Sequence, residues 1–351
     1  MANEATAGFA DDSPPRVTFD VDPSMYNGSC PSGLREFSTA LEGIVRTDLR
    51  YHYSGPICAH RWISLCGDPE YGHLRLVALI DAALPKVVKA AKADAGGLTA
   101  VDLVSLGPGD GAIDLRILQR LQADLLLRDY YCLDSSFDLL CYAVKHILRN
   151  KALRDLKIRA TCGDFTKVRS LGLAANAKGH ARLFALTGFT LGNFREDELL
   201  TQISPLMSGQ DYLLLDARLH HLDGWDGKRK LNSKEKSALQ GHYQPESVKR
   251  FVFGPVETTT YAKSTDVQIE YEVAPKRMCV PGAVQIVIFC KSLDTTMRLT
   301  GKRIRKQRLD LAGTTLYGFS ELASWLESKG FQLVWRAKAA AVGLFLLRRR
   351  Q

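Results

Sequence analysis

Three sets of residues in this sequence could do chemistry. The first is the run Leu103-Val-Ser-Leu-Gly-Pro-Gly-Asp-Gly-Ala112, set between a short apolar stretch and a helical one. A glycine-rich turn at that place lets a ligand approach the backbone closely and offers it the N–H groups of a helix start. The spacing leaves two ligands open. Gly107, Gly109 and Ala112 satisfy the dinucleotide pattern G-x-G-x-x-G/A, with Asp134 about 20 residues further on as a ribose-binding acid. Gly107, Gly109 and Gly111 equally satisfy the G-x-G-x-G of enzymes that use S-adenosylmethionine (SAM). The second set is acidic. Asp134 ends a second apolar run, where it could bind ribose or cap the helix beginning near Phe137. Gly163-Asp164-Phe165 ends a third, where the carboxylate could accept an adenine amino group and the ring could cover the base. The third set is aromatic: residues 51–71 are rich in Gly, Pro, Tyr and His and read as a loop, which makes their tyrosines either candidates for chemistry or covers for a core edge.

The elements that must position these groups follow from periodicity. Helical apolar spacing marks residues 34–45 and 73–92, the latter through Leu76, Leu79, Ile80, Leu84 and Val87. From Ala100 the chain alternates strands (101–106, 130–133, 156–161, 181–186, 212–215) with helices (113–127, 137–148). That rhythm predicts a parallel sheet covered on both faces, with ligands at the carboxyl ends of its strands. After Asp216 the pattern breaks. Residues 220–236 are polar, 258–274 and 283–291 alternate like antiparallel strands, and 319–328 read as a helix followed by a strand pair at 331–335 and 342–347. No internal repeat is found.

Two features favour SAM over a nicotinamide at the glycine loop. The Asp164 station is one that a bare dinucleotide fingerprint does not require. The closing strand pair resembles the reversed last strand of class I methyltransferases.

Composition narrows the remaining classes. With 351 residues, 46% hydrophobic and 24% charged, the chain has globular proportions and room for about two domains. Its apolar runs fall short of the roughly 20 residues needed to span a bilayer, so no membrane partner is expected. The first ten residues lack a basic start and apolar stretch, from which a cytoplasmic location is expected. The eight cysteines contain no C-x-x-C pair, so no metal is expected and most read as small buried hydrophobes. Asn27-Gly28-Ser29 reads as a chance sequon. Residues 301–351 hold eleven Lys/Arg against Asp310, Glu321 and Glu327. Residues 297–311 alternate like a strand with one solvated face and carry no aromatic stacking platform, so nucleic acid is not expected as a partner. Residues 1–15, acidic and Pro-containing, read as a flexible tail. The oligomeric state is left open.

With the glycine loop, Leu186-Thr-Gly-Phe-Thr-Leu-Gly-Asn193 resembles the histidine Nα-methyltransferase family of ergothioneine biosynthesis, which carries G-S-T-I-G-N there. The likeness extends to Asp68-Pro-Glu-Tyr71, similar to the family's L-P-E-Y-Y, and to Asp134 and Asp164-Phe165, loosely covering 50–350. It implies an α/β fold, a class I SAM-methyltransferase Rossmann-like sheet with a second substrate-capping α+β domain. It places the methyltransferase domain at 72–216 plus 314–351 and a substrate-binding domain at 16–71 plus 217–313. It further implies SAM contacts by Ser105, Gly107, Gly109, Gly111, Asp134, Asp164, Phe165 and Thr187. By the same resemblance Asn193, Tyr53 and Tyr243 would bind substrate. Tyr53, Tyr71 and Tyr243 are the expected catalytic residues, since a tyrosine could position the nucleophile or pass its proton to water.

The sequence departs from that family at telling places. Ser105-Leu106 replaces the Glu-Leu before its first glycine, and Tyr71-Gly72 replaces the double tyrosine. The family's T-E-x-S-x-K-Y, whose glutamate binds imidazole, has no clean equivalent. Counting back from Tyr317 puts Ala312 at the glutamate, and counting forward from Gly301 puts Gln307 there. An unpaired buried donor costs about 1–3 kcal/mol, so histidine is not the expected substrate. The expected activity is SAM-dependent methyl transfer to the amine of an amino-acid-like or other small metabolite. The alternatives are a non-catalytic SAM-binding protein and an NAD-dependent oxidoreductase.

Overall fold

Alternating apolar runs and helical stripes build, in chain order, β1 (Val17–Val21), α1 (Gly55–Cys66), α2 (His73–Ala95), β2 (Ala100–Leu106), α3 (Ala112–Ala123), β3 (Leu127–Asp134), α4 (Phe137–Leu148), β4 (Lys157–Cys162), β5 (His180–Leu186), α5 (Glu196–Ile203), β6 (Tyr212–Arg218), α6 (Ser233–Gln240), α7 (Glu246–Val252), α8 (Gly254–Thr259), β7 (Gln268–Pro275), β8 (Val284–Thr296), β9 (Arg303–Leu316), α9 (Phe319–Ser328), β10 (Phe331–Ala339) and β11 (Val342–Arg349). The computed structural model describes residues 17–21, 37, 40, 41, 43, 49–124, 126–165, 180–222, 225, 227–275 and 279–350. The tail expected at 1–15, the sequon at 27–29 and most of the helix expected at 34–45 lie outside the described residues.

The large sheet runs β1-β4-β3-β2-β5-β6-β11-β10, parallel from β1 to β6 and antiparallel at β6–β11 and β11–β10. This is the strand order of a class I methyltransferase, with an added edge strand. That strand, β1, comes from the segment assigned in sequence to the substrate side. Side chains alternate between two cores, as the two-residue period of a strand requires. Ala181, Leu183 and Ala185 of β5 join α2, α3 and α4 on one face; Phe184 and Leu186 join α5 and α9 on the other. The strand order switches at β2, with β3 on one side and β5 on the other, and the loop after β2 therefore opens into the crevice where such sheets bind ligands.

A third core draws Trp62 and Leu65 of α1, Phe251 and Val252 of α7, and Ile286, Ile288, Leu309 and Leu311 of the antiparallel sheet β7-β8-β9. This lobe is tied to the large sheet where β9 ends. The Tyr317 N–H donates to the Arg218 carbonyl at 3.0 Å, and the His220 N–H to the Tyr317 carbonyl at 3.0 Å.

Several local expectations are corrected. Residues 51–71 are not a loop throughout, because Cys58, Ala59, Trp62, Leu65 and Cys66 form a buried helical stripe in α1, started by a proline in its first turn. The strand expected at 258–274 is divided: α8 ends at Thr259, and β7 begins only at Gln268. The hydroxyls of Thr258, Thr259 and Thr260 donate to the carbonyls of Gly254, Pro255 and Val256, each at 2.8 Å, which lets a β-branched run close a helix. The strand expected from 297 starts at Arg303, after a turn in which Gly301 takes φ +68°. In the polar stretch, Asn232 and Glu235 form a reciprocal capping box that starts α6.

Candidate active site

Gly107, Gly109 and Gly111 all take positive φ (82°, 57°, 74°), folding the loop sharply between β2 and α3. Gly109 is required twice over: a Cβ there would meet Trp62 Nε1 at 2.9 Å. Asp134 sits at the end of β3, with Oδ1 accepting the Ser136 N–H at 2.8 Å. Helix α4 is itself capped by Ser136, whose hydroxyl accepts the Leu139 N–H. Burial pushes the Asp134 carboxyl up to about 6, against backbone N–H groups of Ser136, Gly109 and Ser135 that hold it down. Phe165 is buried with Cε1 3.7 Å from the Cβ direction of Gly107, and its ring tilts against Phe194 at 5.6 Å. Asp164 is half-buried beside it, and the Gly163 N–H donates to the Asp134 carbonyl at 2.8 Å.

Two further expected cofactor contacts, Ser105 and Thr187, are both buried. Ser105 is buried in β2 with its side chain bonded to Asp114, which also accepts the Tyr130 hydroxyl at 2.5 Å, so it lies beneath the loop. Thr187 is buried after β5, where its carbonyl accepts the Thr190 hydroxyl at 2.7 Å.

The three tyrosines converge. Tyr53, Tyr71, Tyr243 and Asn193 all line one pocket with an empty volume of about 500 Å³. Asn193 is delivered by a short 3-10 turn, Thr190–Asn193, that packs on β9 through Gly192; a Cβ at Gly192 would meet the Thr315 carbonyl at 2.7 Å. Trp62 lines the pocket as well, so one ring touches both the pocket and the glycine loop. Burial raises the hydroxyl pKa of all three tyrosines above the ordinary phenol value, which keeps them protonated donors at neutral pH. The Tyr243 oxygen is buried without a hydrogen-bond partner, and the nearby Thr314 side chain opposes its upward shift.

Sequence reading missed Arg218, which ends β6 and lines the same pocket. Its guanidinium carbon stands 4.0 Å from the Phe189 ring centroid, 5.0 Å from Tyr71 and 5.3 Å from Tyr243, and Nη2 donates to the Tyr71 carbonyl at 2.9 Å. Among the described residues it makes no salt bridge. The run Tyr212-Leu-Leu-Leu-Asp-Ala-Arg218 puts it at a strand's carboxyl end, but nothing in those residues says where its side chain turns. Phe189, held at φ +63°, donates its N–H to Asp216 Oδ2 at 3.0 Å, which fixes the ring over Arg218. Ala312, Gly313 and Thr314 form the opposite wall, whereas Gln307 is not among the lining residues. Counting back from Tyr317 therefore gives the alignment that the fold supports. A bulge leaves Leu311 unpaired between Ile288↔Ala312 and Phe289↔Asp310, bending β9 at this wall.

The family described as "Histidine-specific methyltransferase, SAM-dependent" matches residues 59–223, from α1 through the end of β6. Over these residues, a little under half of the chain, the sequence is similar to that family. The chain is a SAM-dependent methyltransferase, and the nicotinamide reading of the glycine loop is set aside. No curated protein matches in a sequence search. Similar solved structures include a SAM-dependent methyltransferase from Clostridium acetobutylicum (12% identity, 76% of this chain and 90% of that one, TM-score 0.39). Another is magnesium protoporphyrin IX methyltransferase from Synechocystis with bound SAH (11% identity, 85% and 96%, TM-score 0.43). A third is DesVI from Streptomyces venezuelae (12% identity, 77% and 92%, TM-score 0.37).

The loop fits the cofactor of this methyltransferase family. Gly107 and Gly109 carry no side chain where a nucleoside must approach backbone, and a buried carboxyl at Asp134 held up to about 6 gains from hydroxyl donors such as those of a ribose. Phe165 supplies a flat apolar surface beside Gly107.

Proposed function

We propose that this methyltransferase transfers its methyl group to the amine of an amino-acid-like small metabolite other than histidine. The observation that carries the reading is the meeting of Tyr53, Tyr71, Tyr243 and Asn193 with the Arg218 guanidinium in one pocket that Trp62 joins to the glycine loop. In this reading Gly107, Gly109, Asp134, Asp164 and Phe165 hold SAM, with Asp134 on the ribose and Phe165 against the base. Bound SAM supplies a methyl group already activated on a sulfonium.

The remaining work is alignment and protonation state. Arg218 offers a planar fork of donors that suits a substrate carboxylate, with Asn193 beside it. An amine must be neutral to attack. Aromatic walls that exclude water and the nearby Arg218 charge both lower its pKa, favouring the neutral form. The protonated tyrosines orient the amine by hydrogen bonds rather than removing a proton as phenolates. At the far wall Ala312 offers no acid to an imidazole N–H, and one buried unpaired donor costs about 1–3 kcal/mol, or roughly 5- to 150-fold in binding.

Methyl-labelled SAM, incubated with the purified chain and a panel of amino acids and related amines, tests this. Label is expected on the nitrogen of a carboxylate-bearing amine, with histidine a poor acceptor. Label found only on oxygen or sulfur, or a clear preference for histidine, would overturn it.

A further inference from the structure

Cys66, His73 and Asp110 stand apart in sequence, but the fold gathers them. Cys66 is the last residue of α1, His73 the first of α2, and Asp110 belongs to the glycine loop. One donor atom from each lies within 4.8 Å of the other two. Cys66 and His73 are buried, at 1% and 3% exposure, and His73 Nδ1 has no hydrogen-bond partner. A buried imidazole nitrogen without a partner costs free energy that something must offset. The Trp62 ring packs edge-on against His73 at 6.3 Å and holds it in place.

We propose that Cys66, His73 and Asp110 form a three-donor binding site for a zinc-class divalent ion. The set of one sulfur, one imidazole nitrogen and one carboxylate oxygen is borderline-soft, which suits zinc or cobalt and not magnesium or calcium. Donors around a tetrahedral zinc lie roughly 3–4 Å apart, since its bonds are about 2.0–2.3 Å long. Small side-chain rotations therefore suffice to close this set around an ion. Three protein donors leave a fourth position for water or another ligand.

The location gives the ion a purpose. Gly72, at φ +92°, turns the chain between Tyr71 in the substrate pocket and His73 in the cluster. An ion here would fasten the α1–α2 connection that carries Tyr71 to the loop that carries Gly107 and Gly109. No C-x-x-C spacing marks the site, because the three ligands come from separate elements joined only by the fold.

Cobalt(II) titrated into the chelator-treated full chain tests the site. One cobalt per chain is expected, with a thiolate-to-cobalt charge-transfer band that zinc displaces. Cys66→Ser should abolish the band, and His73→Phe should weaken binding at least about tenfold. Because either variant could disturb folding, X-ray absorption on the zinc-loaded wild-type chain gives a second reading. It should show one sulfur and otherwise nitrogen or oxygen around zinc. Absence of the band, a band that survives in a folded Cys66→Ser chain, or a zinc shell with no sulfur or with two or more would overturn the proposal.

Discussion

In the proposed function the chemistry turns on two residues, Asp134 and Arg218, and each makes a separable prediction. A carboxylate accepting ribose hydroxyls must be ionised, and burial holds Asp134 at about 6. SAM affinity should therefore rise as pH passes upward through about 6, and binding near that pH should release protons, both measurable by isothermal titration. Asp134→Asn should lower affinity roughly 10- to 150-fold at pH 8, the range for a hydrogen bond to a charged group, and remove the pH dependence. An affinity that is flat between pH 5 and 8 in the wild-type chain would contradict the assignment. Arg218→Met keeps bulk among Phe189, Tyr71 and Tyr243 but removes the fork. KM for a carboxylate-bearing acceptor should then rise about 10- to 100-fold with a smaller change in kcat. An unchanged KM would show that the carboxylate is held elsewhere. Arginine at this position was not legible, because nothing local in Asp216-Ala-Arg218 says that the side chain turns into a pocket built by β9 and the α1–α2 connection.

Elements were legible where one period dominates. The mainly apolar, fully buried strands β5 and β6 and the helix α4 follow directly from their spacing. They failed where small residues blur the pattern, as Cys58, Ala59 and Cys66 do in α1, or where side chains bond back to the helix, as the threonines at 258–260 do. The glycine loop was legible as a ligand turn, but its second constraint was not, because Trp62 arrives from an element read as a loop. Gly109→Ala forces a left-handed alanine against that ring. It should cost about 1–2 kcal/mol of stability and weaken SAM binding, read by thermal unfolding with and without cofactor. An alanine chain with wild-type melting and affinity would show that the Trp62 contact does not define the loop.

At the scale of the whole molecule, buried titratable groups oppose one another. Burial raises Asp114 and Asp134 to about 6 and Asp216 to about 7. A carboxyl with a native pKa above its unfolded value stabilises below the unfolded value, and that contribution is lost as pH rises through the native one. Burial also lowers His73, His220 and His242, and a neutral buried histidine costs stability as pH falls below about 6.5. The two sets act in opposite directions over one range, so removing a member of either should tilt the balance. Asp216→Asn retains an acceptor for the Phe189 N–H and should raise the melting temperature of the cofactor-free chain at pH 8 but not at pH 4. An equal change at both would refute the burial account. The basic surface of the small sheet is largely paired at this scale: Arg303 and Arg305 with Asp294, and Arg308 with Asp310 and Glu272. No helix among the described residues is long and apolar enough to cross a membrane.

Methyl transfer depends most on where the nucleoside sits relative to the tyrosine pocket. A crystal structure of the chain with S-adenosylhomocysteine measures this directly. The ribose is expected on Asp134, the base beside Phe165, and the sulfur facing the space bounded by Tyr53, Tyr71 and Arg218. A nucleoside bound away from Asp134, or a sulfur separated from that space by closed protein, would contradict it.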